Sequence, residues 1–172
     1  MTISKIIAMN IISILKSTKL SLEWLEEITG VSSLKISEGR GFSALDVFRI
    51  VAALDVSIKM LTGNGPTSNM HVPYHMSRKK AEMKAKRMYY TFWDNIIEIT
   101  GSADIRLSEI STIAGLSTEQ IFLCSVGFDT KIERLLVISQ YLHMPIDSLV
   151  SPIMIPASEN LQAVPEKLAA GF

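Results

Sequence analysis

"LEEITGVSSLKISEGRGF", residues 25–42, is restated later in the chain as "ISTIAGLSTEQIFLCSVGF", residues 110–128. Both run a segment of helical apolar spacing into a glycine, then a serine, then a second such segment. Glycine suits the left-handed residue that ends a helix, and Ser32 and Ser117 suit the cap of the next one. Sliding the chain against itself by 85 positions aligns Asn10 with Asn95, and ten of the 27 positions from 10 to 36 are then identical. Chance gives about two or three in a chain this rich in isoleucine and serine, so the match points to an internal duplication. The offset slips to 86 at Gly41-Phe42 and to 88 from Val47, which makes the second copy three residues longer between Ile36 and Val47. Length differences of this kind belong in loops and helix ends.

Apolar spacing divides each copy into about five short helices. In the first they are expected at roughly 3–16, at 22–29 behind Ser21 as N-cap, from Ser32 to the Gly39–Gly41 pair, at 44–54 and at 57–62. The fourth would turn Leu45, Phe48, Val51 and Ala52 inward. In the second copy they are expected at 88–101, 107–114, 117–125, 130–142 and 146–150. Its third helix opens with Ser117-Thr118-Glu119-Gln120, a capping box. No stretch alternates with the period of a strand, so the fold class is all-α. "TGNGPTSNMHVP" (62–73) has the composition of a linker, and three prolines from 152 to 165 mark an extended tail with at most a short helix at 165–170. The resulting boundaries are a first domain at 1–65, a linker at 66–77, a second domain at 78–151 with a basic first helix, and a tail at 152–172.

At 172 residues, 48% of them hydrophobic and 20% charged, the chain can bury a globular core. The single cysteine, Cys124, excludes an intrachain disulfide and fits a reducing, cytoplasmic compartment; it is expected to be a buried, inert thiol. "MTISKIIAMNIISILKSTK" reads as a core helix through Ile3, Ile7, Ile11 and Ile14. Lys5 and Asn10 break its apolar run, no small-residue cleavage site follows, and nothing approaches the ~20 apolar residues of a membrane span. Net charge is zero but divided. Residues 1–65 carry seven basic and six acidic side chains, 66–93 six and one, and 94–172 four and ten. A basic centre and an acidic end bear on partners.

A helix, a glycine turn, a serine-capped helix and two closing helices resemble the helix-turn-helix of the lambda-repressor-like family (the Cro/C1, or XRE, type). "LEEITGVS" (25–32) is similar to the family's second helix and turn, Ile36 and "EGR" (38–40) to the end of its recognition helix, and "IVAALDVSIKML" (50–61) to its closing helices. "ISTIAGLS" (110–117), Ile121 and "VISQYLHMPIDSL" (137–149) follow the same plan. Glu26 stands where the family favours a small residue, and Leu22 and Leu107 where it often has a phosphate-touching glutamine. The resemblance covers roughly two-thirds of the chain and implies two tandem lambda-repressor-like heads that bind double-stranded DNA.

It also implies the contacts. A recognition helix projects polar side chains into a groove ~12 Å wide. In the first copy Ser33 and Lys35 are the candidates for base edges, Ser21, Ser32 and Arg40 for phosphates, and Ser37 is a further exposed position. In the second copy the same places hold Ser117, Thr118, Glu119, Gln120 and Phe122, with no cation, so that copy is expected to serve dimerisation or a protein partner through residues 94–151. "SRKKAEMKAKRMYYTFW" (77–93) places six cations in ten residues. As a helix it sets Lys80, Lys84 and Arg87 on one side and Met83, Tyr90 and Trp93 on another. Lys79, Lys80, Lys84 and Arg87 are candidates for DNA backbone contact or an interchain ion pair.

These features together predict a transcriptional regulator of bacterial, phage or plasmid type, binding DNA as a homodimer through its first head, without cofactor or metal. A protein-interaction module of antitoxin or anti-regulator kind, using the acidic copy, is the alternative from another class. A third arrangement has both copies on DNA as an intrachain pair. No phosphate-binding glycine loop, nucleophile elbow or catalytic carboxylate pair points to an enzyme. His71 and His75 lie four apart, but Pro73 between them argues against a shared metal.

Overall fold

The computed structural model describes residues 1–63, 65, 72, 76–102 and 105–152. Ten helices occupy them: α1 (Ile3–Thr18), α2 (Leu22–Thr29), α3 (Ser33–Glu38), α4 (Ala44–Leu54), α5 (Ile58–Thr62), α6 (Arg78–Ser102), α7 (Leu107–Ala114), α8 (Thr118–Ser125), α9 (Ile132–Tyr141) and α10 (Ile146–Leu149). The described residues contain no strand beyond an isolated bridge between Ser43 and Lys131, so the chain is all-α. Local chemistry sets the helix ends as expected. Ser21 accepts from the Trp24 N–H at 3.1 Å and Ser32 from the Leu34 N–H at 3.2 Å. Gly30 closes α2 at φ 70°, and Ser117 and Gln120 exchange both bonds of a capping box. Most of the expected linker, His71, His75 and the tail after Pro152 lie outside the described residues.

Packing repeats along with sequence. α1 packs on α3 and α5 as α6 packs on α8 and α10, and α2 packs on α3 and α4 as α7 packs on α8 and α9. The aligned asparagines show why that identity exists. The Asn10 amide donates to the carbonyls of Leu61 (2.9 Å) and Gly63 (3.0 Å), and the Asn95 amide to those of Leu149 and Ser151 (both 2.8 Å). Each ties the first helix of its repeat to the open carbonyl end of the last, where backbone acceptors otherwise lack partners.

The insertion falls earlier than the sequence match suggests. Phe42 is fully buried and Phe128 is 62% exposed, so the Gly-Phe pairs are not equivalent. The offset of 88 already holds at Phe42 and Thr130, because these two stand in reciprocal bonds: the Ala44 N–H donates to the Thr130 carbonyl at 2.7 Å and the Ile132 N–H to the Phe42 carbonyl at 3.5 Å. Relative to α3, α8 runs two residues further and its following turn holds one more.

Those reciprocal bonds join the two repeats at equivalent residues, and α4 meets α9 and α5 meets α10 across the same seam. Contact between like elements is the mark of a local two-fold. Superposed on it is an asymmetry. Ile3, the start of α1, aligns with Met88, so residues 78–87 of α6 are an extension with no counterpart. That extension lays Ala81 and Ala85 against the first repeat, followed on the same face by Tyr89, Phe92, Trp93 and Ile96, all buried. The expected side of Met83, Tyr90 and Trp93 is therefore divided: Met83 and Tyr90 are exposed, but Trp93 lies ~80° further round the helix and enters the core.

α4 is enclosed by α2 of its own repeat, by α6 and by α9. Ten of its eleven residues are buried, which is more than the single inward stripe expected, and a helix apolar on all sides is a core helix. One apolar cluster consequently runs through both repeats. We expect the chain to unfold in one urea transition, with Phe48→Ala and Ile138→Ala each shifting that common midpoint, by about 3–5 and 2–5 kcal/mol respectively. Two separate transitions, each sensitive to only one substitution, would contradict a shared core.

Candidate nucleic-acid interface

The α2–α3 turn places the first repeat's candidate residues in three distinct situations. Ser21 and Ser32 are exposed caps whose hydroxyl protons remain free to donate. Ser37 is exposed and donates to the Leu34 carbonyl at 2.9 Å. Arg40 is exposed and, among the described residues, forms no ion pair. Ser33 is half-buried at the start of α3, where its N–H donates to Glu26 at 3.0 Å. That backbone bond is the main reason the Glu26 carboxyl is held below its ordinary range. Glu26 thus puts its own negative charge at the helix N-terminus, the place a phosphate would take.

Lys35 is held inside its own repeat. Its ammonium meets Asp46 at 2.6 Å, and Asp46 also accepts from the Ser43 N–H at 3.2 Å and stands 3.6 Å from Arg49. Arg49 in turn donates through Nε and Nη2 to Glu82, whose carboxylate is also 3.3 Å from Lys86. The network runs from α3 through α4 to the α6 extension. Asp46, Arg49 and Glu82 are not among the candidates named from the sequence, though the last two leave a trace there. Arg49 is the lone cation of an apolar helix and Glu82 the lone acid among six cations.

On α6, Lys84 pairs with Asp55 at 2.8 Å, while Lys79, Lys80 and Arg87 are exposed without an ion pair among the described residues. The extension docks on α2 as well as α4, so Lys79 stands beside the first repeat's turn. Arg78, which was not singled out from the sequence, joins it there.

The second repeat presents a different face. α8 exposes Glu119 and Gln120, and Phe122, Val126 and Phe128 are each exposed by half or more. Backbone hydrogen bonding at the helix start, reinforced by Ser117, lowers the Glu119 carboxyl below its ordinary range and keeps it charged. Cys124 is buried, and burial pushes its thiol up. No helix among the described residues is long and apolar enough to cross a membrane. Comparisons with protein families, with curated proteins and with solved structures find no match to this chain.

The Arg49–Glu82 pair carries a pH signature. Hydrogen bonding from Arg49, the largest influence, holds the Glu82 carboxyl below its usual value of 4.5. A carboxyl lowered in the folded state stabilises the fold above the unfolded value and loses that contribution as pH falls through the folded one. Urea midpoints of the wild type and Glu82→Gln should therefore differ most at neutral pH and converge below pH 4.5. A gap constant with pH would mean that the charge of Glu82 contributes nothing.

Proposed function

We propose that the chain is a DNA-binding transcriptional regulator of bacterial, phage or plasmid type, whose two heads are paired within one molecule. The observation that carries this is the reciprocal bonding of Phe42 and Ala44 with Thr130 and Ile132. Joining at equivalent residues supports a matched pair of helices, α3 and α8, in one molecule, and paired reading helices related by a two-fold are what duplex DNA accommodates in successive grooves. The homodimer expected from the sequence is then unnecessary for supplying a second head, and association of two chains would bring four. Occupying a promoter is the mechanism available to such a unit. α3 contributes Ser32, Ser37 and Arg40, and the α6 extension adds cations alongside. Phe122 offers α8 an apolar contact for a thymine methyl, while the Gln120 amide is turned back onto the Ser117 N–H in the capping box.

The exposed Phe122, Val126 and Phe128 favour a second reading, in which α8 meets a protein and only α3 meets DNA. Anisotropy titrations of duplex fragments at several salt concentrations test the proposal. Binding should weaken steeply with salt. Arg40→Ala should weaken it further and reduce the log–log slope by about one, whereas Lys35→Ala, whose ammonium is already held by Asp46, should change the slope less. Absence of binding at low salt would sink the proposal.

A further inference from the structure

The α6 extension delivers to the α2–α3 turn two cations that no acid among the described residues takes up. Arg78 and Lys79 are exposed, and neither forms an ion pair among the described residues. Arg78 lies over the turn itself: a Cβ placed on Gly30 would meet its Nη2 at 2.8 Å. The guanidinium thus lies close over a glycine that the left-handed backbone, φ 70°, favours in its own right. With Thr29, Gly30, Arg49 and Glu82 these two residues line an open groove of about 590 Å³.

The groove is positive. Glu82 does not cancel its cations, because the Glu82 carboxylate is engaged by Arg49 and approached by Lys86. Thr29 is a wall rather than a ligand, since its hydroxyl donates to the Leu25 carbonyl and accepts from the Val31 N–H. What remains free is a planar guanidinium fork beside an ammonium. That combination matches the oxygens of a phosphate, with arginine binding two of them at once and lysine supplying a point charge. The volume exceeds that of a phosphate ion, leaving room for the molecule that carries it.

We propose that this seam groove binds a phosphate group through Arg78 and Lys79, presented by a duplex backbone passing the α2–α3 turn or by a free phosphorylated compound. The first source rests on the DNA reading above; the second does not. Calorimetric titration of the full chain with inorganic pyrophosphate, and anisotropy titration with duplex DNA, separate them in the wild type, in Arg78→Ala/Lys79→Ala and in Lys16→Ala, which removes an exposed cation at the far end of α1. Pyrophosphate should bind the wild type and Lys16→Ala alike and lose at least tenfold in affinity to the double variant. A duplex source adds a weaker DNA affinity in the double variant and a salt slope reduced by about two. Unchanged DNA affinity beside lost pyrophosphate binding assigns the groove to a free phosphorylated compound. A wild type that binds pyrophosphate but no DNA removes the regulator proposal and leaves this one standing. No pyrophosphate binding, or an equal loss in Lys16→Ala, overturns it.

Discussion

Helix α4 has no stripe left to solvent: its two charged residues, Asp46 and Arg49, are engaged by Lys35 and Glu82. From Ala44 to Leu54 only Arg49 escapes burial, so a five-helix head built on α4 alone would leave part of that surface in water. The hydrophobic effect penalises such exposure at roughly 25 cal/mol per Å². α2 and α5 of the same repeat cover part of it, and the other repeat adds α6 and α9. The counterpart helix α9 buries a single face, through Ile132, Leu135 and Ile138. Duplicated helices have thus taken different places, one central and one peripheral, and the α6 extension exists where the central one needs cover.

The same seam changes how the acidic second half should be understood. Asp129 accepts from the Leu45 N–H in the first turn of α4, and Asp147 accepts from the Ile58 and Lys59 N–H groups at the start of α5. Glu133 accepts from the Ser4 hydroxyl of α1. Carboxylates of the second repeat therefore satisfy backbone donors and dipole ends of the first. Part of the acidic excess is internal cement, set in place by neutral donors of the first repeat, so that these carboxylates keep their charge while serving the fold. What distinguishes α8 and the turn after it from α3 is the exposed Glu119 together with the exposed Phe122, Val126 and Phe128.

The helices were legible because their causes are local. Serine caps, glycine ends and apolar spacing act within a few residues, and α2, α4 and α7 begin and end where those signals lie. The duplication was legible through identities such as Asn10 and Asn95, whose shared bond to a distant helix end explains their persistence in both copies. The sequence offers Lys35 as a candidate for base edges without its ion pair, because the partner, Asp46, lies beyond an intervening turn and spacing along one helix does not reveal it. Arg78 and Lys79 were part of a visible charge cluster, but their place beside Gly30 depends on where Ala81 and Ala85 dock. The Gly-Phe match misled for a related reason: similar letters fell on opposite sides of an insertion, and burial separates them.

Fusion of the two repeats into one rigid pair is most directly tested by electron–electron distance measurement between nitroxides at Ser37 and Phe122, aligned and exposed positions on α3 and α8, in a Cys124→Ser background. The structure predicts one narrow distance population, unchanged by an excess of unlabelled chain. A broad distribution, as from two heads moving independently on a tether, would contradict it.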